Sequence, residues 1–184
     1  MRVFGIDPGS ERTGYGCIET DGRRQRLVAC GAISSPAHTS FPDRLLTIHV
    51  ELGRLLAECR PDCVAIENLF YATNVRSALK LGHARGVAMV AAVAAGVTIA
   101  EYTPAEIKRA VVGYGRADKH QVQQMVKLLL GLSAAPTPHD AADALAAAIC
   151  HVNRADHARI TGEVAGGRRI RSWRDVKPAD LGIV

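Results

Sequence analysis

The sequence lacks a long hydrophobic run. The stretch from Gly86 to Ala100, which has no charged residue, is only fifteen residues long and is rich in Ala, Gly and Val. A membrane-spanning helix needs about 20 strongly apolar residues. The N-terminal segment reaches an acidic residue, Asp7, before a secretory signal pattern develops. We therefore expect no membrane contact, no export and a cytoplasmic location.

Closely spaced cysteine pairs are also missing. The five cysteines are odd in number, and none of them belongs to a C-x-x-C motif. A disulfide framework favours an even number of cysteines and a zinc ribbon needs such motifs, so the sequence argues against both. We expect reduced thiols, most of them buried, as in a cytosolic protein.

The chain is short for a two-lobed enzyme. With 184 residues, of which 48% are hydrophobic and 22% charged, its composition is ordinary for a soluble fold and its length fits one domain. Hydrophobic periodicity is lost near the C-terminus. We therefore predict one domain over residues 1–155 and a basic, mobile tail over residues 156–184. The net charge of +5 favours a polyanionic partner.

Hydrophobic periodicity predicts ten elements. Short apolar or alternating runs indicate strands, and three- and four-residue spacings indicate helices. In chain order, we predict strands at 3–6, 13–19 and 26–33, a helix at 43–59, a strand at 63–66, a helix at 74–95, a strand at 97–102, and helices starting at 104, 118 and 137. This order implies an α/β fold with a mixed five-stranded sheet flanked by helices and right-handed crossovers.

Acidic residues stand at the ends of two predicted strands. Asp7 follows the apolar run 3–6, and Glu67 follows the apolar run 64–66. If these strands are parallel neighbours about 4.8 Å apart, both carboxylates emerge at the same sheet edge. Asp140 and Asp143 lie three residues apart on the last predicted helix and therefore share a face. The sequence thus predicts that four carboxylates converge.

Four converging carboxylates need cations to neutralise them. All-oxygen ligands suit Mg²⁺ or Mn²⁺ better than zinc, and two such ions about 3.5–4 Å apart promote phosphodiester cleavage. Simpler interpretations exist for single residues. Asp7 precedes Pro-Gly and can be a turn former, and Asp140, at the third position of a helix capped by Thr137, can stabilise the helix dipole. Asp143 lies among alanines on the face expected to meet the sheet, where a lone carboxylate is costly.

Five motifs follow one another in an order that resembles a known family. They are Gly5-Ile6-Asp7-Pro8-Gly9, Ala65-Ile66-Glu67-Asn68-Leu69-Phe70, the run from Ser77 to Gly86, the run from Lys108 to Gly115, and Asp140-Ala141-Ala142-Asp143-Ala144-Leu145-Ala146. From Arg2 to about His151, the sequence resembles the RuvC family of Holliday-junction resolvases. The resemblance implies a ribonuclease-H-like fold, a homodimer and Mg²⁺-dependent nicking of two strands at a four-way DNA junction, in recombination and DNA repair. It also implies action beside the RuvA–RuvB branch-migration complex.

The same resemblance places the family's four acidic ligands on Asp7, Glu67, Asp140 and Asp143, around two Mg²⁺ ions that Mn²⁺ can replace. Some members of the family have His instead of Asp at the third position, and here His139 directly precedes Asp140. Since adjacent residues point about 100° apart around a helix, we expect Asp140 to be the ligand. The expected cut leaves 5′-phosphate and 3′-hydroxyl ends.

Basic residues supply candidate DNA contacts. Arg76, Lys80 and His83 fall at i, i+4 and i+7 on one predicted helical stripe, a spacing that can follow phosphates, although most single charges are simply solvated. Lys108 and Lys119 match basic positions that, by resemblance, hold DNA close to the metal site. We expect Arg76, Lys80, Lys108 and Lys119 to contact DNA.

Aromatic residues make up only 4% of the chain, yet Phe70 and Tyr71 are adjacent and follow Glu67 in a predicted loop. We expect both to contact DNA, and the resemblance implies that Phe70 stacks on a base at the opened junction. The alternative is that Phe70 anchors the next helix in the core. That helix is rich in Ala and Gly over residues 77–95; one side should pack on the sheet, and the resemblance implies that the homodimer forms around it.

Two other function classes fit parts of the sequence. Asp7-Pro8-Gly9-Ser10 followed by Gly14 resembles the phosphate loop of actin-like and sugar-kinase-like phosphotransferases. Those enzymes close over ATP between two lobes, and a chain of this length provides one. A junction-binding protein, whose acidic residues serve folding alone, is the second alternative, and it would produce no nicks when Mg²⁺ is added.

Overall fold

The structure is a computed structural model and describes residues 1–68 and 74–161. It contains the ten elements that the sequence predicts, in the predicted order. They are β1 (Arg2–Asp7), β2 (Arg12–Thr20), β3 (Gln25–Ser34), α1 (Phe41–Cys59), β4 (Cys63–Glu67), α2 (Val75–Ala94), β5 (Thr98–Tyr102), α3 (Pro104–Val112), α4 (Lys119–Leu129) and α5 (His139–Thr161). Residues 1–154 form one compact unit, and most of the predicted tail, residues 156–184, lies outside the described residues.

The five strands form one mixed sheet in the order β3-β2-β1-β4-β5. β1, β2 and β3 pair antiparallel, whereas β1 pairs parallel with β4, and β4 with β5. The predicted α/β class and mixed sheet are therefore confirmed. Because Ile6 is opposite Ile66 in the parallel pair β1–β4, the carboxyl ends of these central strands lie side by side at one edge of the sheet.

Helices cover both faces of the sheet. Successive residues of a strand point to opposite faces, so that Phe4 and Ile6 join one buried cluster with α1 and α2, while Val3 joins another with α3, α4 and α5. The alanine-rich face of α5 supplies much of the second cluster, including Leu145 and its neighbours. The result is a three-layer sandwich with α5 lying across the centre of the sheet.

Helix α5 packs unusually close to the sheet because both surfaces carry small side chains. A Cβ atom on Gly5 would overlap the carbonyl oxygen of Ala144, and one on Gly14 would overlap the carbonyl oxygen of Asp140. These contacts involve backbone atoms, which cannot rotate away. Glycine in β1 and β2 therefore fixes how near the first turns of α5 lie to the ends of the central strands.

Two helix starts differ slightly from their predicted positions. Helix α1 begins at Phe41 because Ser40 caps it, accepting a hydrogen bond from the backbone N–H of Asp43. Helix α5 begins at His139, later than the predicted cap at Thr137, and Asp140 is its second residue. The capping box predicted at Thr103 and Glu106 is present at the start of α3. Among the described helices, none has the length and apolarity that crossing a membrane requires.

Candidate active site

Asp7 and Glu67 are neighbours at the carboxyl ends of β1 and β4. The two carboxyl groups interact, and the charge of Glu67 is one cause of the raised pKa of Asp7. The parallel pairing of apolar strands 3–6 and 63–66 brings the two groups together, since each strand ends in its acidic residue. This is the arrangement that the sequence predicted for the two strand ends.

A pocket of about 340 Å³ opens at this edge. We call it the carboxylate pocket. Its lining residues are Asp7, Glu67, Pro104, Ile107, Lys108, Lys119, Val122, Asp143 and Ala146. The strand ends supply two carboxylates, α5 supplies a third, and α3 and α4 each bring a lysine. Three predicted acidic residues and two predicted basic residues therefore meet in one place.

Negative charge in the carboxylate pocket is poorly compensated. Burial, followed by the charges of Glu67 and Asp143, raises the pKa of Asp7 from 3.8 to about 8. Burial also raises the pKa of Glu67 and that of Asp143, although Lys119 opposes the shift in Asp143. Such shifts mean that the folded protein resists ionising all three groups unless positive charge is supplied.

Two lysines provide part of that positive charge. Lys119 is the first residue of α4, and its Nζ lies 3.6 Å from Oδ2 of Asp143. Its side chain is 78% exposed, so the ammonium group remains accessible at the mouth of the pocket. The charges of Lys119 and Lys108 both act to lower the pKa of Glu67. These lysines are placed to meet an anion that approaches the carboxylates.

Asp140 takes a different position from the other three acidic residues. It lines an adjacent polar pocket together with Arg12 and Ser10, and its Oδ2 lies 3.4 Å from Nη1 of Arg12. Its charge still acts on Asp7, as the smallest of the contributions that raise the Asp7 pKa. The four predicted carboxylates therefore gather at one edge, but Asp140 faces a cationic side chain that the sequence analysis did not single out.

The donor set fits a hard divalent cation. Every candidate ligand is a carboxylate, and carboxylate oxygens are preferred by Mg²⁺ and Mn²⁺. Across residues 1–68 and 74–161, no three His, Cys, Asp or Glu side chains already surround a common point as metal ligands do.

The loop after Asp7 is held by a residue that sequence reasoning missed. The hydroxyl of Thr13, which is fully buried, donates a hydrogen bond of 3.0 Å to the carbonyl oxygen of Gly9. This bond fastens the turn between β1 and β2. The sequence position of Thr13 could have indicated this role, because Thr13 directly precedes Gly14, the residue paired with Asp7 in the sheet.

The other predicted DNA contacts lie away from the carboxylate pocket or outside the described residues. Arg76 and Lys80 are exposed on the first turns of α2, and Nζ of Lys80 lies 5.7 Å from the ring centre of Phe41. Phe70 and Tyr71 fall outside the described residues. Lys108 and Lys119 are thus the two predicted DNA contacts that line the pocket itself.

Comparison with known proteins identifies a matching family. A family model described as "Crossover junction endodeoxyribonuclease RuvC" matches residues 3–151. Curated relatives with that description include one from Alkaliphilus oremlandii, 54% identical over 153 residues that make up 83% of this chain and 93% of the relative. Another, from Trichlorobacter lovleyi, is 51% identical over 179 residues, 97% of this chain and all of the relative.

Solved structures that resemble this chain include members of the same family. The chain is similar to "T. thermophilus RuvC in complex with Holliday junction substrate", with a TM-score of 0.81 and 36% identity over 86% of this chain and 96% of that one. The yeast mitochondrial Holliday junction resolvase Ydc2 matches with a TM-score of 0.64 but only 16% identity, over 88% of this chain and 82% of that one. This second likeness concerns the fold alone.

Proposed function

Because this chain belongs to the RuvC family of crossover junction endodeoxyribonucleases, we propose that it nicks four-way DNA junctions in the carboxylate pocket. Family membership confirms the resemblance found in the sequence, the endonuclease class and the ribonuclease-H-like fold. It also removes the phosphotransferase alternative. The observation that carries the proposal is the meeting of Asp7, Glu67 and Asp143 in a pocket flanked by Lys108 and Lys119.

Resolvases of this family are metal-dependent nucleases. We propose that Asp7, Glu67, Asp143 and Asp140 hold two Mg²⁺ ions, with Mn²⁺ as a substitute. The proposal is supported by the all-oxygen donor set and by the raised pKa of Asp7, a sign of negative charge that lacks compensation. When bound, such ions polarise a water molecule and neutralise charge on the phosphate and the leaving oxygen.

The residues of the pocket divide the work of hydrolysis. The carboxylates supply the negative charge that retains the cations, and the ammonium groups of Lys108 and Lys119 hold the anionic DNA backbone over them. In the proposed reaction, the oxygen of water forms a bond to phosphorus and the bond to the 3′ oxygen breaks. A proton passes to that leaving oxygen, which leaves a 5′-phosphate and a 3′-hydroxyl without a covalent protein intermediate.

A cleavage assay tests the proposed function directly. Synthetic four-way junctions labelled on each strand are incubated with and without Mg²⁺, beside a linear duplex of the same sequence. We expect paired nicks at symmetric positions in two strands of the junction, sealable by ligase, only when Mg²⁺ is present. Binding without nicks would identify a junction-binding protein instead, and equal cutting of the duplex would contradict selectivity for structure.

Lys119 provides a test of contact with the DNA backbone. Replacing Lys119 by Ala removes an exposed cation at the pocket mouth, so the slope of log affinity against log salt should decrease by about 0.9 for one lost phosphate contact. Junction affinity is measured without divalent ions at several salt concentrations. The control is Lys127→Ala in the last turn of the same helix, and an unchanged slope for Lys119→Ala would count against the contact.

We further propose that the protein is a homodimer joined through α1 and α2. An apolar groove of about 660 Å³ runs between these helices. Three large apolar side chains along it are more than half exposed, namely Leu46, Leu79 and Val90. A two-fold dimer through this face presents two carboxylate pockets, as paired nicks require.

The dimer is tested by placing a charge in the groove. Leu79→Glu should convert the dimer to a monomer at micromolar concentration, because a carboxylate in an apolar interface loses its hydration without gaining a partner. Sedimentation equilibrium measures the mass. The control is Leu128→Glu on α4, where Leu128 is 69% exposed on the other face of the sheet, and a monomeric wild-type chain would contradict the proposal.

Three further parts of the proposal rest on family membership. We propose that the branch-migration complex RuvA–RuvB is a partner, that the reaction serves recombination and DNA repair, and that the protein acts in the cytoplasm. We also propose that Phe70, Tyr71, Arg76 and Lys80 contact DNA. Exposure of Arg76 and Lys80 on α2 is compatible with such contacts.

A further inference from the structure

Asp140 has a cation beside it that does not belong to the carboxylate pocket. Nη1 of Arg12 lies 3.4 Å from Oδ2 of Asp140, with 54% of the arginine side chain and 32% of the aspartate side chain exposed. The two residues are 128 positions apart in the sequence. In the described part of the chain, Asp140 is thus the one candidate ligand that pairs with an arginine, whereas Asp143 pairs with Lys119.

The backbone on both sides of this pair is fixed. Arg12 is the first residue of β2, directly before the buried Thr13, whose hydroxyl is bonded to Gly9. Gly14, two residues further, lies against the backbone of Asp140. The starting points of both side chains are therefore set, while the side chain of Arg12 is more than half exposed and lines the adjacent polar pocket.

We infer that Arg12 is a positioning residue that pairs with Asp140 while the site lacks divalent cations and thereby lowers the affinity of the site for them. This inference rests on the proposed function, since it takes Asp140 to be a metal ligand. A cation that binds Asp140 must displace the guanidinium from that carboxylate and must also approach a nearby like charge. Both effects oppose cation binding, so Arg12 raises the concentration of divalent cation at which the site becomes occupied.

The expected size of the effect follows from the exposure of the pair. Ion pairs between exposed side chains contribute about 0.2–1 kcal/mol, which corresponds to roughly 1.4- to 5-fold in an equilibrium constant. Replacing Arg12 by Gln should therefore tighten the binding of divalent cations by about 1.4- to 5-fold. Lysine at the same position retains the charge, so Arg12→Lys should keep the affinity near that of the wild type.

The experiment measures Mn²⁺ binding to the full-length protein without DNA, by counting free Mn²⁺ with electron paramagnetic resonance. Six variants are compared with the wild type: Asp7→Asn, Arg12→Gln, Arg12→Lys, Asp140→Asn, the double variant Arg12→Gln/Asp140→Asn, and Arg54→Gln. The last is the matched control, because Arg54 is also an exposed arginine paired with carboxylates, those of Glu51 and Glu58 on α1. We expect Arg12→Gln alone to bind Mn²⁺ more tightly, and no gain from it once Asp140 is neutral.

Two outcomes would overturn this inference and leave the proposed function unaffected. Unchanged or weaker Mn²⁺ binding in Arg12→Gln would show that the guanidinium does not compete with the metal. Equal tightening with and without the Asp140 carboxylate would show that Arg12 acts through the general field and not through its pair. Loss of the proposed metal site has a different signature: Asp7→Asn would then bind Mn²⁺ as the wild type does, or the wild type would bind none, and both proposals would fall together.

Discussion

Replacing Asp7 by Asn is expected to reduce junction cleavage by about a thousand-fold or more, while junction affinity stays within about two-fold of the wild type. Asp7 lines the carboxylate pocket together with Glu67 and Asp143, and the charges of both act on its carboxyl group. Its charge serves to retain the cations and not to bind DNA, so chemistry is lost and affinity is kept. Cleavage in Mg²⁺ and binding in a metal chelator, both with the synthetic junction, measure the two effects.

The same substitution should stabilise the metal-free protein. Burial and the neighbouring carboxylates raise the pKa of Asp7 to about 8 in the folded state from 3.8. The unfolded chain therefore releases this proton at a lower pH than the folded chain, and the free energy of unfolding falls as the pH rises from about 4 to about 8. Asparagine carries no charge, and its side-chain amide has N–H groups that can donate a hydrogen bond to the Glu67 carboxylate.

We expect this stabilisation to reach a few kcal/mol at pH 7, since each pKa unit corresponds to about 1.4 kcal/mol. For a chain of this size, the Tm should rise by several degrees, and the difference from the wild type should grow between pH 5 and pH 8. Thermal unfolding in a metal chelator measures it.

The control is Glu58→Gln, which removes a carboxylate from an exposed ion pair with Arg54 on α1. Glu58→Gln should leave both junction cleavage and the pH dependence of the Tm unchanged. A lower Tm for Asp7→Asn at pH 8, or a difference that does not vary with pH, would contradict the uncompensated charge in the pocket. Retained cleavage would remove Asp7 from the proposed metal site.

Strand ends could be placed from the sequence because their signals are local. An apolar run that ends in a single acidic residue marks both Asp7 and Glu67, and parallel pairing then brings them together. The helix starts were less accurate, since a cap depends on side-chain hydrogen bonds such as that of Ser40. Boundaries of helices also vary by one or two residues between criteria.

The separation of Asp140 from Asp143 could not be predicted from spacing alone. Residues three apart on a helix share a face, yet they differ by about 60° around the axis. With α5 lying across the sheet, that angle is enough for Asp143 to line the carboxylate pocket and for Asp140 to turn toward Arg12. Pairing between residues that are 128 positions apart leaves no periodic signal in the sequence.

Replacing Gly14 by Ala is the second substitution for which we expect a large loss of cleavage, because Gly14 sets the position of the first turn of α5. Gly14 is opposite Asp7 in the β1–β2 pair and lies against the backbone of Asp140. In Gly14→Ala, the added methyl group would overlap the carbonyl group of Asp140, so the first turn of α5 must move away from the sheet. We expect cleavage to fall by about a hundred-fold or more, because a shift of about 1 Å in catalytic groups has that cost.

The same overlap should destabilise the fold by about 1–3 kcal/mol, the usual range for overpacking. Gly53→Ala is the matched control, since Gly53 lies within α1 and a Cβ atom there meets nothing within 4 Å. That variant should gain about 0.5–1 kcal/mol from the higher helix propensity of alanine and keep full activity. Thermal unfolding and junction cleavage compare the two. Because the added atom at Gly14 meets backbone and not a flexible side chain, a folded Gly14→Ala protein with full cleavage would show that the distance between α5 and the central strands does not position the carboxylates.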